Sequence, residues 1–201
     1  MPVMEKNILF FISCILAYLI GSIPFGFLIA KTQGINIRQV GSGNIGATNI
    51  TRNLGWKLGA FVAVLDFAKS FIPVMLARAI FTHTGMVMAV SVMPVIGHIF
   101  PVWLNFKGGK GVATIFGLLG AYFGILYFLG FLVVWFFAVK KVRLMSLVNL
   151  VAALLIPFAF WLKFDQVPFI LFGVLLCSVI WFSHRTNIKR LLAGEENLIK
   201  I

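Results

Sequence analysis

The sequence predicts an all-α integral membrane protein, from its composition, the lengths of its apolar runs and the placement of its basic residues. Of 201 residues, 61% are hydrophobic and 11% are charged, with a mean hydropathy of +1.06. A globular domain is roughly 45–50% apolar and about 25% charged, so the main solvent of this chain is lipid. The 17 Lys and Arg against 5 Asp and Glu leave a net charge of +12. On a hydrophobic chain such an excess fits cytoplasmic loops and anionic headgroups, and no nucleic-acid partner is expected.

The first apolar run, Asn7 to Ala30, is too long for a secretion signal and lacks a small-x-small cleavage site, so it is read as the first span. Further runs follow at Leu58–Ala77, Met86–Leu104, Val112–Val139, Leu144–Leu162 and Val167–Ser183. Each approaches the roughly 20 residues of a spanning helix except Val112–Val139, which is longer. With six crossings and the amino terminus outside, seven basic residues fall inside and nine outside, against the positive-inside rule. If Val112–Val139 folds back near Gly120–Gly124, the count becomes thirteen inside against three outside. The expectation is therefore seven transmembrane helices, amino terminus outside and carboxyl terminus cytoplasmic, in a single domain over residues 1–201. The two arms of the split run, about 14 residues each, would rise only about 21 Å, short of a hydrocarbon core of about 30 Å.

In that topology three polar segments emerge on one side: GSGNIGATNITR (Gly41–Arg52), GHIFPVWLNFKGGKGVAT (Gly97–Thr114) and HRTNIKRLLAGEE (His184–Glu196). The first contains GxGxxG at Gly41, Gly43 and Gly46, with Asp66 twenty residues further on, as in a dinucleotide-binding unit. That unit needs a preceding strand and a βαβ context, and here the acid lies within an apolar run. The local physics of anion binding remains: glycines let backbone N–H groups turn toward an anion beside a helix start. Ser42, Asn44, Thr48 and Asn49 add donors, and Arg52 adds a planar fork suited to phosphate. In the second segment Lys107 and Lys110 flank Gly108, Gly109 and Gly111, a basic nest for phosphate; Lys110 is followed by Gly, so this is no Walker loop. Both segments also have a plainer reading, the first as a helix-entry loop whose Arg reaches lipid headgroups and the second as a flexible basic turn on those headgroups.

Asp66 and Lys69 stand one helical turn apart in an apolar run, where an unpaired charge is costly, so a structural pair inside the bundle is expected. His98, between Pro94 and Pro101, reads as a hydrogen-bonded residue at a helix end, and His83 as incidental. Cys14 and Cys177 lie in apolar runs without neighbouring His or Cys at ligand spacing and read as free thiols, so neither metal nor disulfide is expected. No HxxxxD pattern follows His98 or His184, and no GxSxG elbow occurs. An enzyme built from this inventory would need little help in activating its nucleophile.

These segments resemble the bacterial acyl-phosphate:glycerol-3-phosphate acyltransferases, the PlsY family. The match runs through GSIPFG (21–26), GSGNIGATNITR (41–52), LDFAK (65–69), GHIFPVWLNFKGGKGVAT (97–114) and HRTNIKRLLAGEE (184–196), in order across nearly the whole chain. The resemblance implies seven helices with cytoplasmic motifs, and transfer of a fatty acyl group from acyl phosphate to the 1-hydroxyl of glycerol 3-phosphate. It implies a phosphate-binding and catalytic group of Ser42, Arg52, Lys110, His184 and Asn187, a donor-phosphate loop at Gly108, Gly109 and Gly111, a substrate-side Ser146, and Glu195 ordering the third segment. No metal or organic cofactor is called for. The expected partners are the two phosphate substrates, membrane lipid and an enzyme producing acyl phosphate, at the bacterial cytoplasmic membrane. A transporter of organophosphates is the rival reading, since broken helices and a buried ion pair also mark transport sites.

Overall fold

A computed structural model describes residues 2–199, and among them there are helices and no strand. The chain divides into two compact units, one ending at Ala121 and the other beginning at Tyr122.

The first unit holds α1 (Val3–Ser22), α2 (Phe25–Thr32), α3 (Ala47–Leu54), α4 (Trp56–Ile80), α5 (Thr84–Ile99), a single 3-10 turn at Val102–Leu104, and most of α6 (Val112–Phe123). Expected as one run, Asn7–Ala30 is broken: Pro24 has no N–H to give and disfavours helix at Ile23, so α1 stops and α2 restarts beyond it. Gly55, at φ +90°, makes the break between α3 and α4. Helix seams here are built on missing side chains. A Cβ on Gly21 would overlap the backbone of Pro94, one on Gly97 the carbonyl of Tyr18, and one on Gly117 the backbone of Phe67, so α1 packs closely on α5 and α6 on α4. Small residues at seams are how helices approach in lipid, where burial of apolar surface offers little driving force.

The second unit holds α7 (Ile125–Val142), α8 (Met145–Phe164), α9 (Val167–Ser183) and α10 (Arg185–Leu192). Gly173 lies against the backbone of Pro157, bringing α8 and α9 together. Their turn is closed by Phe164 stacked on Phe169, with ring centres 3.9 Å apart. Beside it Lys163 donates to the Phe123 carbonyl at 3.1 Å. α9 and α10 bend by 62° about His184.

Among the described residues five helical segments are long and apolar enough to cross a membrane, or six if the bent α9–α10 pair is one span. Many of their large apolar side chains, such as Leu126, Val134, Leu162 and Leu171, are exposed, as a lipid solvent allows. The run Val112–Val139 does divide, with Gly124 at φ +96° between α6 and α7, inside the expected Gly120–Gly124 stretch. The arms differ from the expected equal pair: α6 has 12 residues and α7 has 18. Lys140 and Lys141 continue α7 into its last turn, where cations suit the negative helix end. At about 1.5 Å per residue α6 rises about 18 Å, less than a core of about 30 Å.

Candidate active site

In the first segment the glycines and polar residues are organised around one buried amide. Asn49, 1% exposed, opens α3. Its Nδ2 is shared among the carbonyls of Ile37 (3.2 Å), Val40 (3.1 Å) and Asn44 (2.9 Å), and its Oδ1 accepts the N–H of Ser42 at 3.0 Å. Asn53, one turn later, donates to both the Asn49 carbonyl and Oδ1. Asn49 was expected to offer donors to an anion; its amide is instead bonded to the loop, because buried carbonyls of an irregular stretch need partners. Asn44 is committed too, its Oδ1 taking the Gly46 N–H at 2.8 Å as the chain enters α3.

Gly41 and Gly43 sit at φ +59° and +68°, where other residues are strained, and a Cβ on Gly41 would overlap the Asn49 amide. The loop is seated from below by an apolar cluster of Ala30, Ile37, Ile45, Ile50, Val62 and Leu104, which also anchors the second segment through Leu104. Around this loop Ser42 and Thr48 are half-buried, and Arg52, in the last turn of α3, is exposed.

In the second segment two of the three glycine amides are bonded to backbone carbonyls. The N–H of Gly108 donates to the Ile99 carbonyl and that of Gly109 to the His98 carbonyl, both at 3.0 Å, so they cap the end of α5. The Lys107 N–H likewise goes to Leu104 at 3.1 Å. Before these glycines, Asn105 and Phe106 take φ +51° and +59°, and the turn presents Lys107 exposed and Lys110 half-buried, with Gly111 at φ +78° before α6.

Asp66 and Lys69 do pair, at 2.8 Å and nearly fully buried. Lys69 also donates at 3.0 Å to the carbonyl of Ile23, at the break between α1 and α2. His98 ends α5 with its Nδ1 3.6 Å from the same Asp66 oxygen, a proximity that sequence spacing did not foretell.

In the second unit, His184 is 1% exposed and marks the bend. Its Nδ1 lies 2.8 Å from the Ile180 carbonyl, which can only accept, so that nitrogen carries the proton. Asn187, also buried, donates through Nδ2 to Glu196 Oε1 at 2.7 Å, and Arg190 Nε donates to Oε2 at 2.9 Å. Ser146, buried at the start of α8, lies near enough to Glu196 to favour its charge, though its hydroxyl makes no hydrogen bond of ordinary geometry. The carboxylate that orders the third segment is therefore Glu196; the side chain of Glu195 is exposed. Neighbouring carboxylates differ only in which way the chain turns them, and that turn is set by the Glu195 N–H bonding to Arg190 at 2.8 Å. Among the described residues no group of His, Cys, Asp and Glu could hold a metal ion.

Burial pushes the Glu196 carboxyl up, but the hydrogen bonds from Arg190 and Asn187, the Arg190 charge and Ser146 outweigh it and hold it below the ordinary glutamate range. A lowered pKa contributes stability that is complete above the unfolded value of about 4.3 and is lost as pH falls through the folded one. The protection factors of the amides of residues 185–199, each taken relative to the unfolded-chain exchange rate at the same pH, are expected to fall on acidification below about pH 4, and Glu196→Gln should flatten that dependence; a wild type whose protection does not change with acid would contradict it.

A second expectation concerns Asn49. Asn49→Asp keeps the acceptor for Ser42 but turns a carboxylate oxygen toward three carbonyls, so it should lower thermal stability in detergent as much as Asn49→Ala, by roughly 2 kcal/mol or more. A fully stable Asp variant would remove the amide from its central place.

The family model described as glycerol-3-phosphate acyltransferase matches residues 11–194, across both units. Curated relatives bearing that name include one from Geotalea daltonii, 43% identical over 92% of this chain and 94% of its own, and one from the Wolbachia of Brugia malayi, 43% identical over 96% and 98%. Among solved structures, PlsY (YgiH), an integral membrane glycerol 3-phosphate acyltransferase, superposes in its glycerol 3-phosphate form with a TM-score of 0.89 at 38% identity, covering 95% of this chain and 96% of that one. Its lysophosphatidic acid form gives 0.87 at 37% identity, covering 95% of each chain. Such agreement across nearly the whole chain favours acyl transfer over transport. With its broken helices and basic glycine loops in place, the chain is a multi-pass membrane protein that belongs to the glycerol-3-phosphate acyltransferase family.

Proposed function

We propose that this acyltransferase takes its acyl group from acyl phosphate, delivers it to the 1-hydroxyl of glycerol 3-phosphate and releases lysophosphatidic acid and inorganic phosphate. It does so as one acyltransferase domain over residues 1–201 in the bacterial cytoplasmic membrane, with seven crossings, the amino terminus outside and the carboxyl terminus cytoplasmic. The observation that carries the reading is the likeness to a protein solved in both a glycerol 3-phosphate and a lysophosphatidic acid form. The residue inventory supports it: the polar segments of the first unit carry Arg52, Lys107 and Lys110, and both substrates are phosphates.

Acyl phosphate is a mixed anhydride whose phosphate is a good leaving group, so positioning and charge neutralisation can carry the reaction without a strong base. The substrate hydroxyl attacks the acyl carbonyl carbon, the bond from that carbon to the phosphate oxygen breaks, and the departing phosphate accepts the hydroxyl proton. Lys110 and Ser42 stabilise the developing charge. Because the amides of Gly108 and Gly109 are bound to α5, the Lys110 ammonium carries most of that neutralisation. Arg52 grips the glycerol 3-phosphate as a bidentate fork. In the second unit His184 and Asn187 are substrate-handling residues, held in place by the Ile180 carbonyl and by Glu196, with Ser146 beside them.

An apolar groove of about 330 Å³ in the first unit is lined by Ile23, Pro24, Phe27, Leu28, Trp103 and Leu104, three residues before Lys107. It suits the acyl chain of the donor. The donor's supply falls to a separate enzyme that makes acyl phosphate.

Purified protein given palmitoyl phosphate and glycerol 3-phosphate is expected to form lysophosphatidate, followed by mass; product with acyl-CoA alone would overturn the donor assignment. Arg52→Ala should raise the KM for glycerol 3-phosphate at least about tenfold, the loss of one charge-assisted contact of about 1.5–3 kcal/mol. Unchanged kinetics would remove Arg52 from the phosphate site.

A further inference from the structure

We infer that His98 is a positioning residue for acyl transfer: it is the seat on which the Lys110 loop rests, and the buried Asp66–Lys69 pair fixes that seat. The inference depends on the assignment of Lys110 made above.

The geometry is continuous from the ion pair to the loop. Lys69 is held between Asp66 at 2.8 Å and the Ile23 carbonyl at 3.0 Å, with the Phe25 ring 5.7 Å below its ammonium, so the pair is tied to the helix break as well as to α4. The Asp66 oxygen faces His98 Nδ1 at 3.6 Å, and all three side chains are at most 5% exposed. The opposite edge of the imidazole carries Nε2, and there the ring lies directly against Gly109: a Cβ on that glycine would overlap Nε2. The backbone closes the arrangement, since the carbonyls of His98 and Ile99 take the N–H groups of Gly109 and Gly108. Gly109 is therefore glycine for the imidazole, with its φ outside the left-handed region, whereas Gly111 at φ +78° is glycine for its backbone. Lys110 lies between the two, so its place follows from where the ring stands.

A structural reason for burying three ionisable side chains beside the loop follows. A hydrophobic side chain at 98 could fill the volume, but it would have no directed partner in Asp66 and could rotate against the glycine. At 3.6 Å the His98–Asp66 contact is longer than a hydrogen bond, and a shift of a few tenths of an ångström would close it. Misplacement of a charge-stabilising group by about 1 Å costs on the order of 10²-fold in rate, so a seat of this kind has catalytic consequences without touching substrate.

The test is a double-mutant cycle on the purified full-length enzyme, with kcat and KM measured for palmitoyl phosphate and glycerol 3-phosphate. Gly109→Ala should lose at least about tenfold in kcat, and His98→Ala combined with Gly109→Ala should recover most of that loss by making room for the methyl group. If the glycine served to let phosphate approach, the double variant would be as impaired as Gly109→Ala or more so, and that result overturns the inference, as would a fully active Gly109→Ala. His98→Gln, which leaves the glycine untouched, gives a second reading: a kcat lowered about tenfold with the KM for glycerol 3-phosphate within about twofold is expected, and a wild-type kcat is the contrary outcome. Lys110→Ala separates the two levels. Should it remain active, the assignment of Lys110 fails; should it be inactive while the cycle is additive, only the role of His98 fails.

Discussion

A carbonyl freed where a helix ends has no water to turn to inside a bilayer, and leaving it bare costs several kcal/mol. This chain breaks its helices repeatedly, and the residues of its most distinctive segments meet the carbonyls so exposed. Lys69 takes Ile23 at the break after α1, and the amides of Gly108 and Gly109 take Ile99 and His98 at the end of α5. Asn49 takes three carbonyls leading into α3, and His184 takes Ile180 at the bend after α9. These irregular stretches of backbone survive because a side chain or a glycine amide meets their carbonyls.

That constraint decides which groups remain for chemistry. Amides and carboxamides are the natural partners of carbonyls, and those of Gly108, Gly109 and Asn49 are used in building the loops. Lysine and arginine side chains reach further, and a phosphate is a better partner for them than a neutral carbonyl. In the function proposed for this chain, cations act from loops in which the amides of Gly108 and Gly109 and the carboxamide of Asn49 are already bonded. The leaving ability of an acyl phosphate suits such a site, which offers charge and position in place of a strong base.

Much of the fold was legible in the sequence because lipid imposes simple rules. Apolar runs gave the helices, the basic residues pointed to a break within Val112–Val139, and Gly124 supplies it. The pairing of Asp66 with Lys69 followed from helical spacing and the cost of a lone charge. What could not be read is who partners whom across elements. Asn49 looks like any donor in a polar loop until Ile37, Val40 and Asn44 are seen around it, although Asn53 one turn later is a local sign of a carboxamide network. Glycines at 108 and 109 fit an anion nest as well as a helix cap, since both need amides that turn. Glu195 and Glu196 are equivalent in sequence, and Arg190 and Asn187 select the second only after the chain has doubled back.

The most direct test of this account is residue-resolved amide hydrogen exchange on the detergent-solubilised protein with and without glycerol 3-phosphate. If the loop amides serve the helix ends, Gly108 and Gly109 exchange slowly in the free protein and ligand changes them little, while Lys110→Ala abolishes turnover without altering their protection. Amides at Gly108 and Gly109 that exchange at open-loop rates until glycerol 3-phosphate is added would show that they bind the anion, and would contradict the division between backbone that builds the site and cations that use it.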